Sequence, residues 1–339
     1  MIAETNVVPP LPALPVGAQL ALQRYMSRAR ASNTYRSYHG QWQRFVAWCG
    51  IHNLSCLPAH PHAVAAYLAE RAQDGAKVAT LNVILSAVAF AHTAGGLPFN
   101  RREPALTLVV DGIRRAHVEA QHQAEPLTAD LLREVLSGFT GSSLDQRDAA
   151  LLALLYTFAL RASEAVALDW MRPGDGRGWL AMAPDRAEIV LLGSKAEHGQ
   201  ADTIAIPAPA APAALQAIEA WTQYAHIVPG DPLLRALTRG GGMRSDRMQP
   251  GSVSGIIKRA IARHLVRKGM PFGEALMAAS RFAGHSGRVG FYVSATEAGV
   301  APQHIAAVAR HVGLAMVRRY ARRADLLRCA PHLTSGVGV

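Results

Sequence analysis

Six polar side chains scattered through the second half of the chain are of the types that handle a phosphodiester. Arg161 stands at the end of an apolar helical run within ALRASEAVAL, and Lys195 at the tip of a hairpin within LLGSKAEHG. His285 and Arg288 form H-x-x-R within AGHSGRVGF; His311 follows 23 residues later in ARHVG, and Tyr320 a further 9 residues on in VRRYARR. A phosphodiester is an anion, and attack on it gathers extra negative charge on its non-bridging oxygens. Arg161 and Arg288 supply planar, permanently charged forks that each contact two phosphate oxygens, the work a divalent ion does elsewhere. The sequence has no carboxylate cluster of the two-metal type, so no metal and no other cofactor is expected. Glu164, three residues after Arg161 on the same helical side, is placed to hold Arg161 or His285.

Taken singly, these residues have plain structural readings. An arginine after an apolar helix balances the helix dipole, a lysine in a hairpin is a turn residue, and a tyrosine at a helix end snorkels. Their joint order is what departs from chance. In that order and spacing the chain resembles the tyrosine recombinases, also called the integrase family, and within them the Cre type. The SNTYRSYHGQWQRFVAWC stretch and AGHSGRVGF carry the likeness, with His311 standing where the Cre type has tryptophan.

The resemblance implies roles. Tyr320 is the nucleophile, and its attack leaves a 3′-phosphotyrosyl bond that stores the energy of the broken one, so that ligation needs no ATP. His285 accepts or orients the tyrosine proton, His311 donates to the phosphate, and Lys195 protonates the departing 5′ oxygen. The implied fold is mainly α: a two-domain C-shaped clamp, with a helical N-terminal core-binding domain and an α-rich catalytic domain holding a small antiparallel β-sheet. Two copies per site and four per synapse are expected on a double-stranded DNA target.

Composition agrees with a polyanionic partner. Thirty-five Lys and Arg face 24 Asp and Glu, a formal charge of +11, which favours nucleic acid over other ligands. Residues 1–125 carry 11 basic and 7 acidic side chains and the remainder 24 and 17, so both halves are basic. Half the residues are hydrophobic and 17% charged, which excludes disorder along most of the length. The longest apolar run, 149–160, is far short of the ~20 residues a bilayer span needs, and no secretory leader is visible. A cytoplasmic, nucleoid-associated protein of bacterial, phage or plasmid origin is expected. The three cysteines form neither a disulfide framework nor a zinc motif.

The elements that must position these groups are read from periodicity. Residues 1–14 are a Pro-rich flexible arm, 15–122 a helical DNA-binding domain, 123–127 a linker, and 128–339 the catalytic domain with a C-terminal tail helix. The first domain's helices are one capped at Ser32 or Asn33 that Gly50 is expected to end, stretches at 62–70 and 79–92, and a last short one from Arg101 that reaches Arg114-Arg115. In the second domain helical segments at about 128–138, capped by Thr128, and 144–160 come first, Glu188–Leu192 and Thr203–Ile206 read as two short strands joined by the polar turn 193–202, and helical periodicity returns at 210–224, 252–268, 288–298 and 302–309. Thr34, Arg36, Thr80 and Asn82 are candidate base contacts by resemblance. Lys258, Arg259 and Arg263 sit on a basic helix that can track the backbone or read guanine. A hairpin-forming or topoisomerase-like strand transferase, and a non-catalytic DNA-binding protein on the same scaffold, are the alternative functions.

Overall fold

The computed structural model describes residues 15, 17–18, 32–117, 124–192 and 201–310. The chain divides into two compact units, Met1–Gln121 and His122–Val339.

Among the described residues the first unit is helical: α1 (Ser32–Ile51), α2 (Pro61–Gln73), α3 (Val78–Ala94) and α4 (Pro104–Ala116). Each contributes an apolar stripe, with Phe45 and Cys49 from α1, Val64 and Leu68 from α2, Leu81, Ile84 and Val88 from α3, and Leu106 and Val110 from α4. At about 1.5–3 kcal/mol per large side chain removed from water, these stripes hold the unit together. Gly50 does not end α1, which runs on to Ile51. His92 is fully buried, and its ring holds the α2 approach: Nε2 accepts from Ala59 N–H at 2.9 Å and Nδ1 donates to the Val88 carbonyl at 2.8 Å. His60 caps α2 through Nδ1, which accepts from the His62 N–H.

The second unit is built round α6. After α5 (Ala129–Leu136), capped by Thr128 through Leu131 N–H, α6 (Ser143–Thr157) presents Ala150 to Leu155 as one unbroken buried run. A helix apolar on every side belongs at the centre of its layers. The short α7 (Ala162–Ala165) follows, then β1 (Asp169–Trp170), β2 (Gly178–Met182), β3 (Arg186–Leu192) and β4 (Ala201–Pro207), which form one sheet in that order. β2, β3 and β4 pair antiparallel, while β1 adds a parallel edge. Asp169, buried in that edge, accepts from the N–H groups of Gly174 and Gly176 and pairs with Arg247, fixing the loop between β1 and β2. Next come α8 (Pro212–Tyr224), the ribbon β5 (Arg235–Leu237) and β6 (Met243–Arg247), α9 (Pro250–Arg267), α10 (Phe272–Ser280), α11 (Ser286–Glu297) and α12 (Pro302–Ala309).

Two glycines let α11 reach the centre of this unit. A β-carbon on Gly287 would lie 2.8 Å from Leu155 Cβ, and one on Gly290 would overlap the Leu127 carbonyl. The Leu127 N–H donates to the Ser286 carbonyl at 2.9 Å, and the Ala129 N–H to Ser294 Oγ at 3.1 Å. The start of α5 and the end of α6 are thereby clamped against the helix that carries H-x-x-R. Val289 and Tyr292 of α11 then share a small apolar cluster with Ile305, Ala306 and Ala309 of α12.

Candidate active site

Arg161 is not the last residue of the apolar helix. α6 stops at Thr157, Ala159 adopts a left-handed conformation (φ 47°), and Arg161 becomes the N-cap of α7 with extended backbone. The left-handed turn is what re-aims the chain, at a cost on the order of 1 kcal/mol for a residue with a β-carbon. Glu164 reaches back from the first turn of α7. Its carboxylate accepts from the Arg161 backbone N–H at 2.8 Å and from the Arg161 guanidinium at 2.5 Å. Glu164 thus contacts Arg161, and its second partner is Arg310, whose Nη2 lies 2.6 Å from Oε2.

Arg288 enters from the first turn of α11 and is buried, 5% exposed. Its Nη1 donates to the Ala159 carbonyl at 2.7 Å and its Nη2 to the Ala309 carbonyl, so the same guanidinium ties the turn after α6 to the end of α12. Its carbon also stands 5.9 Å from the centre of the Tyr292 ring. Burial is the main influence lowering the Arg288 pKa from its ordinary value, and the Arg161 charge adds to it. His285 is the N-cap of α11. Burial holds its imidazole below the usual histidine range, reinforced by the Arg288 and Arg161 charges and opposed by Glu164, so it is neutral at neutral pH. Glu164 is shifted the other way. Burial alone would raise its pKa, but Arg310 and the backbone and guanidinium of Arg161 bring it below the ordinary carboxylate value.

Arg161, Glu164, His285, Arg288 and Arg310 therefore form one electrostatically coupled cluster. Arg310 was not singled out in the sequence. It sits directly after α12 in left-handed backbone (φ 52°, ψ 54°), and its side chain is 6% exposed. The hint available in the sequence was an arginine interrupting an apolar run immediately before His311. The sheet converges on the same place: Asp202, beside the Leu192–Ala201 pair that closes the β3–β4 ladder, is close enough for Arg310 to feel its charge. Lys195, His311 and Tyr320 lie outside the described residues.

The candidate DNA contacts fall on helices. Arg36 is exposed on α1, while Thr34 on α1 and Thr80 and Asn82 on α3 are half-buried. Asn82 shares a cavity of about 330 Å³ with Arg101, Arg102 and Arg114. On α9, Lys258 is half-buried and Arg259 exposed. Arg259 lines a second cavity of about 650 Å³ together with Arg147 and Arg239. Arg263 is engaged within the fold: it pairs with Asp145 at 2.7 Å and covers the Phe139 ring at 4.7 Å. Among the described residues no helix is long and apolar enough to cross a membrane, and no group of three or more His, Cys, Asp or Glu is gathered as for a metal ion.

The model described as the phage integrase family matches residues 125–326, and that of the phage integrase N-terminal SAM-like domain matches residues 21–92. An integrase/recombinase XerD homolog from Selenomonas ruminantium is 29% identical over 317 residues, spanning 91% of this chain and 87% of the relative. The recombinase Cre of Escherichia phage P1 is 28% identical over 183 residues, 49% of this chain and 53% of that one. In fold, the chain resembles the Tn1549 transposon integrase solved in complex with transposon right end DNA. The TM-score is 0.55 at 16% identity, covering 92% of this chain and 98% of the other.

Proposed function

The chain belongs to the phage integrase family, and from that premise we propose that it is a site-specific DNA recombinase working through a 3′-phosphotyrosyl intermediate. The observation that carries the reading is that Arg161 and Arg288, far apart in sequence, lie close enough to feel each other's charge, with Glu164 bound to Arg161 and a neutral histidine beside them. Such a site is built for a phosphoryl anion: two fixed guanidinium groups meet the charge that develops as phosphorus becomes five-coordinate, with no reorganisation at the moment of reaction.

The chemistry then assigns the remaining groups. Tyr320 Oη attacks the phosphorus of the scissile linkage and gives its proton to His285, which can receive it because its burial among arginines keeps it neutral. The bond from phosphorus to the 5′ oxygen breaks, and Lys195 supplies the proton that the departing oxygen takes up. His311 donates to a non-bridging oxygen. Glu164 holds Arg161 in place. The resulting phosphotyrosyl ester conserves the bond, and a 5′-hydroxyl from a partner strand reverses the steps to reseal it. Duplex DNA is the ligand that the net charge of +11 suits, and the Tn1549 integrase was solved in complex with transposon right end DNA. Thr34, Arg36, Thr80 and Asn82 are the candidate base contacts, and Lys258 and Arg259 the side chains of α9 that would track the backbone or read guanine. Four copies assembled on two sites, inside a cell, complete the reading.

Product analysis tests it. A plasmid carrying two copies of the sequence that the protein selects from a random pool should yield recombinant joints, and Tyr320→Phe should bind that sequence yet yield none. Relaxed circles or sealed hairpin ends without joints would instead assign a topoisomerase-like or resolvase-like activity, and binding without any strand cleavage would leave a DNA-binding protein.

A further inference from the structure

We propose that Arg310 is a third arginine of the active centre, contacting the scissile phosphate and offsetting the carboxylate of Glu164. The inference rests on the recombinase reading above and concerns a residue that reading does not use. Three observations carry it.

The first is conformational. Arg310 occupies left-handed backbone, a region costly to any residue with a β-carbon. An arginine held there, with its side chain 6% exposed, is being kept for its guanidinium.

The second is the state of its donors. Nη2 is taken by Glu164 at 2.6 Å, whereas Nε and Nη1 are buried and have no hydrogen-bond partner among the described residues. Buried cationic N–H groups without acceptors are rare, and one common reason is an acceptor that arrives with a ligand. These donors sit in the cluster that contains Arg161 and Arg288, whose charges Arg310 feels directly.

The third is charge balance. Arg161 spends part of its charge on Glu164 at 2.5 Å. Asp202 is the weakest of the charges acting on Arg310; with two arginines and Glu164 the cluster itself would carry a net single positive charge, matched to a resting phosphodiester. Arg310 adds one more, which matches the second negative charge that the five-coordinate transition state acquires. Its neighbour Ala309 gives its carbonyl to Arg288, so the residue that supplies the extra charge also belongs to the turn that fixes the established one.

The test uses the full-length protein and a nicked duplex carrying its selected sequence, prepared with either an ordinary phosphate or a methylphosphonate at the scissile position. Methylphosphonate replaces one non-bridging oxygen by methyl and removes its charge, so a cation that serves that charge becomes dispensable. With ordinary phosphate, Arg310→Gln should slow covalent adduct formation about 100-fold, the usual loss for one such donor. Arg310→Lys, which keeps the charge but loses the fork, should slow it less. In either variant the ratio of phosphate rate to methylphosphonate rate should fall below that of wild type, further for glutamine than for lysine. The lysine variant carries the comparison if the glutamine variant does not fold. An unchanged ratio, whether the variants are slow or fast, overturns the proposal and leaves Arg310 as a structural partner of Glu164. Absence of any adduct from the wild-type chain with ordinary phosphate overturns the recombinase reading itself, and this inference with it.

Discussion

Replacing Glu164 by glutamine keeps the shape of the side chain and removes its charge. The structure gives that charge three donors: the Arg161 N–H at 2.8 Å, the Arg161 guanidinium at 2.5 Å and Arg310 at 2.6 Å. Glu164 and Arg310 are 15% and 6% exposed and Arg161 is 29% exposed, so the pairs are largely desolvated. Removing one partner of a fully buried pair costs about 3–5 kcal/mol. Glutamine still accepts through one oxygen and Arg161 is partly hydrated, which brings the expected loss to about 2–3 kcal/mol. For a unit the size of His122–Val339 that corresponds to a fall of roughly 4–12 °C in its melting temperature. The pH dependence has a definite sign. Glu164 has a folded pKa below its unfolded one, so its contribution is fully present above the unfolded value, near ~4.3, and is lost as the pH falls through the folded value. Urea unfolding of both proteins should therefore show a stability gap that is constant from neutral pH down to about pH 5 and narrows in stronger acid. A gap under about 0.5 kcal/mol at neutral pH, or one that does not narrow in acid, would refute the reasoning.

Other perturbations address the remaining parts. Gly290→Ala places a β-carbon against the Leu127 carbonyl and should destabilise the second unit by about 1–3 kcal/mol in thermal unfolding, since backbone cannot rotate out of the way. Arg161→Lys keeps the charge but loses the fork held by Glu164, so single-turnover adduct formation should fall on the order of 100-fold while duplex affinity in a filter-binding assay changes little. The acid limb of adduct formation should have its midpoint below about 6.5, because burial and the neighbouring arginines keep His285 neutral to lower pH. A midpoint above that value would remove His285 as proton acceptor.

Much of the architecture is legible in the residues, and its failures have physical causes. The paired strands announce themselves as short apolar and β-branched runs, Glu188–Leu192 and Thr203–Ile206, on either side of a polar turn, and the ladder extends each by a few residues. β1 escapes notice because a two-residue parallel edge has no period, and what fixes it is Asp169 collecting the N–H groups of Gly174 and Gly176; β2, with the sequence GWLAM, has no polar residue to mark an alternation. β5 and β6 escape for a related reason: Arg235–Leu237 and Met243–Arg247 are half-exposed or exposed and carry no apolar alternation. Helix α10 has only Ala275 and Ala279 buried, too small a stripe to signal a helix. In the cluster, Arg161, Glu164, His285 and Arg288 are separable from their neighbours by type and order alone. The ending of α6 before Arg161 is not, since it depends on a left-handed alanine that no propensity predicts. Arg310 is hidden for the same reason, because its role follows from a backbone conformation and a partner 146 residues away.

The central claim is that Tyr320 becomes the covalent carrier of the DNA strand. The full-length protein should be incubated with a nicked duplex from which the cleaved fragment escapes, the product digested with protease and nuclease, and the modified peptide read by mass spectrometry. The account predicts one peptide carrying a nucleotide joined through its 3′-phosphate to Tyr320. A nucleotide on any other residue, a 5′-phosphate linkage, or a cleaved strand with no attached peptide would contradict it.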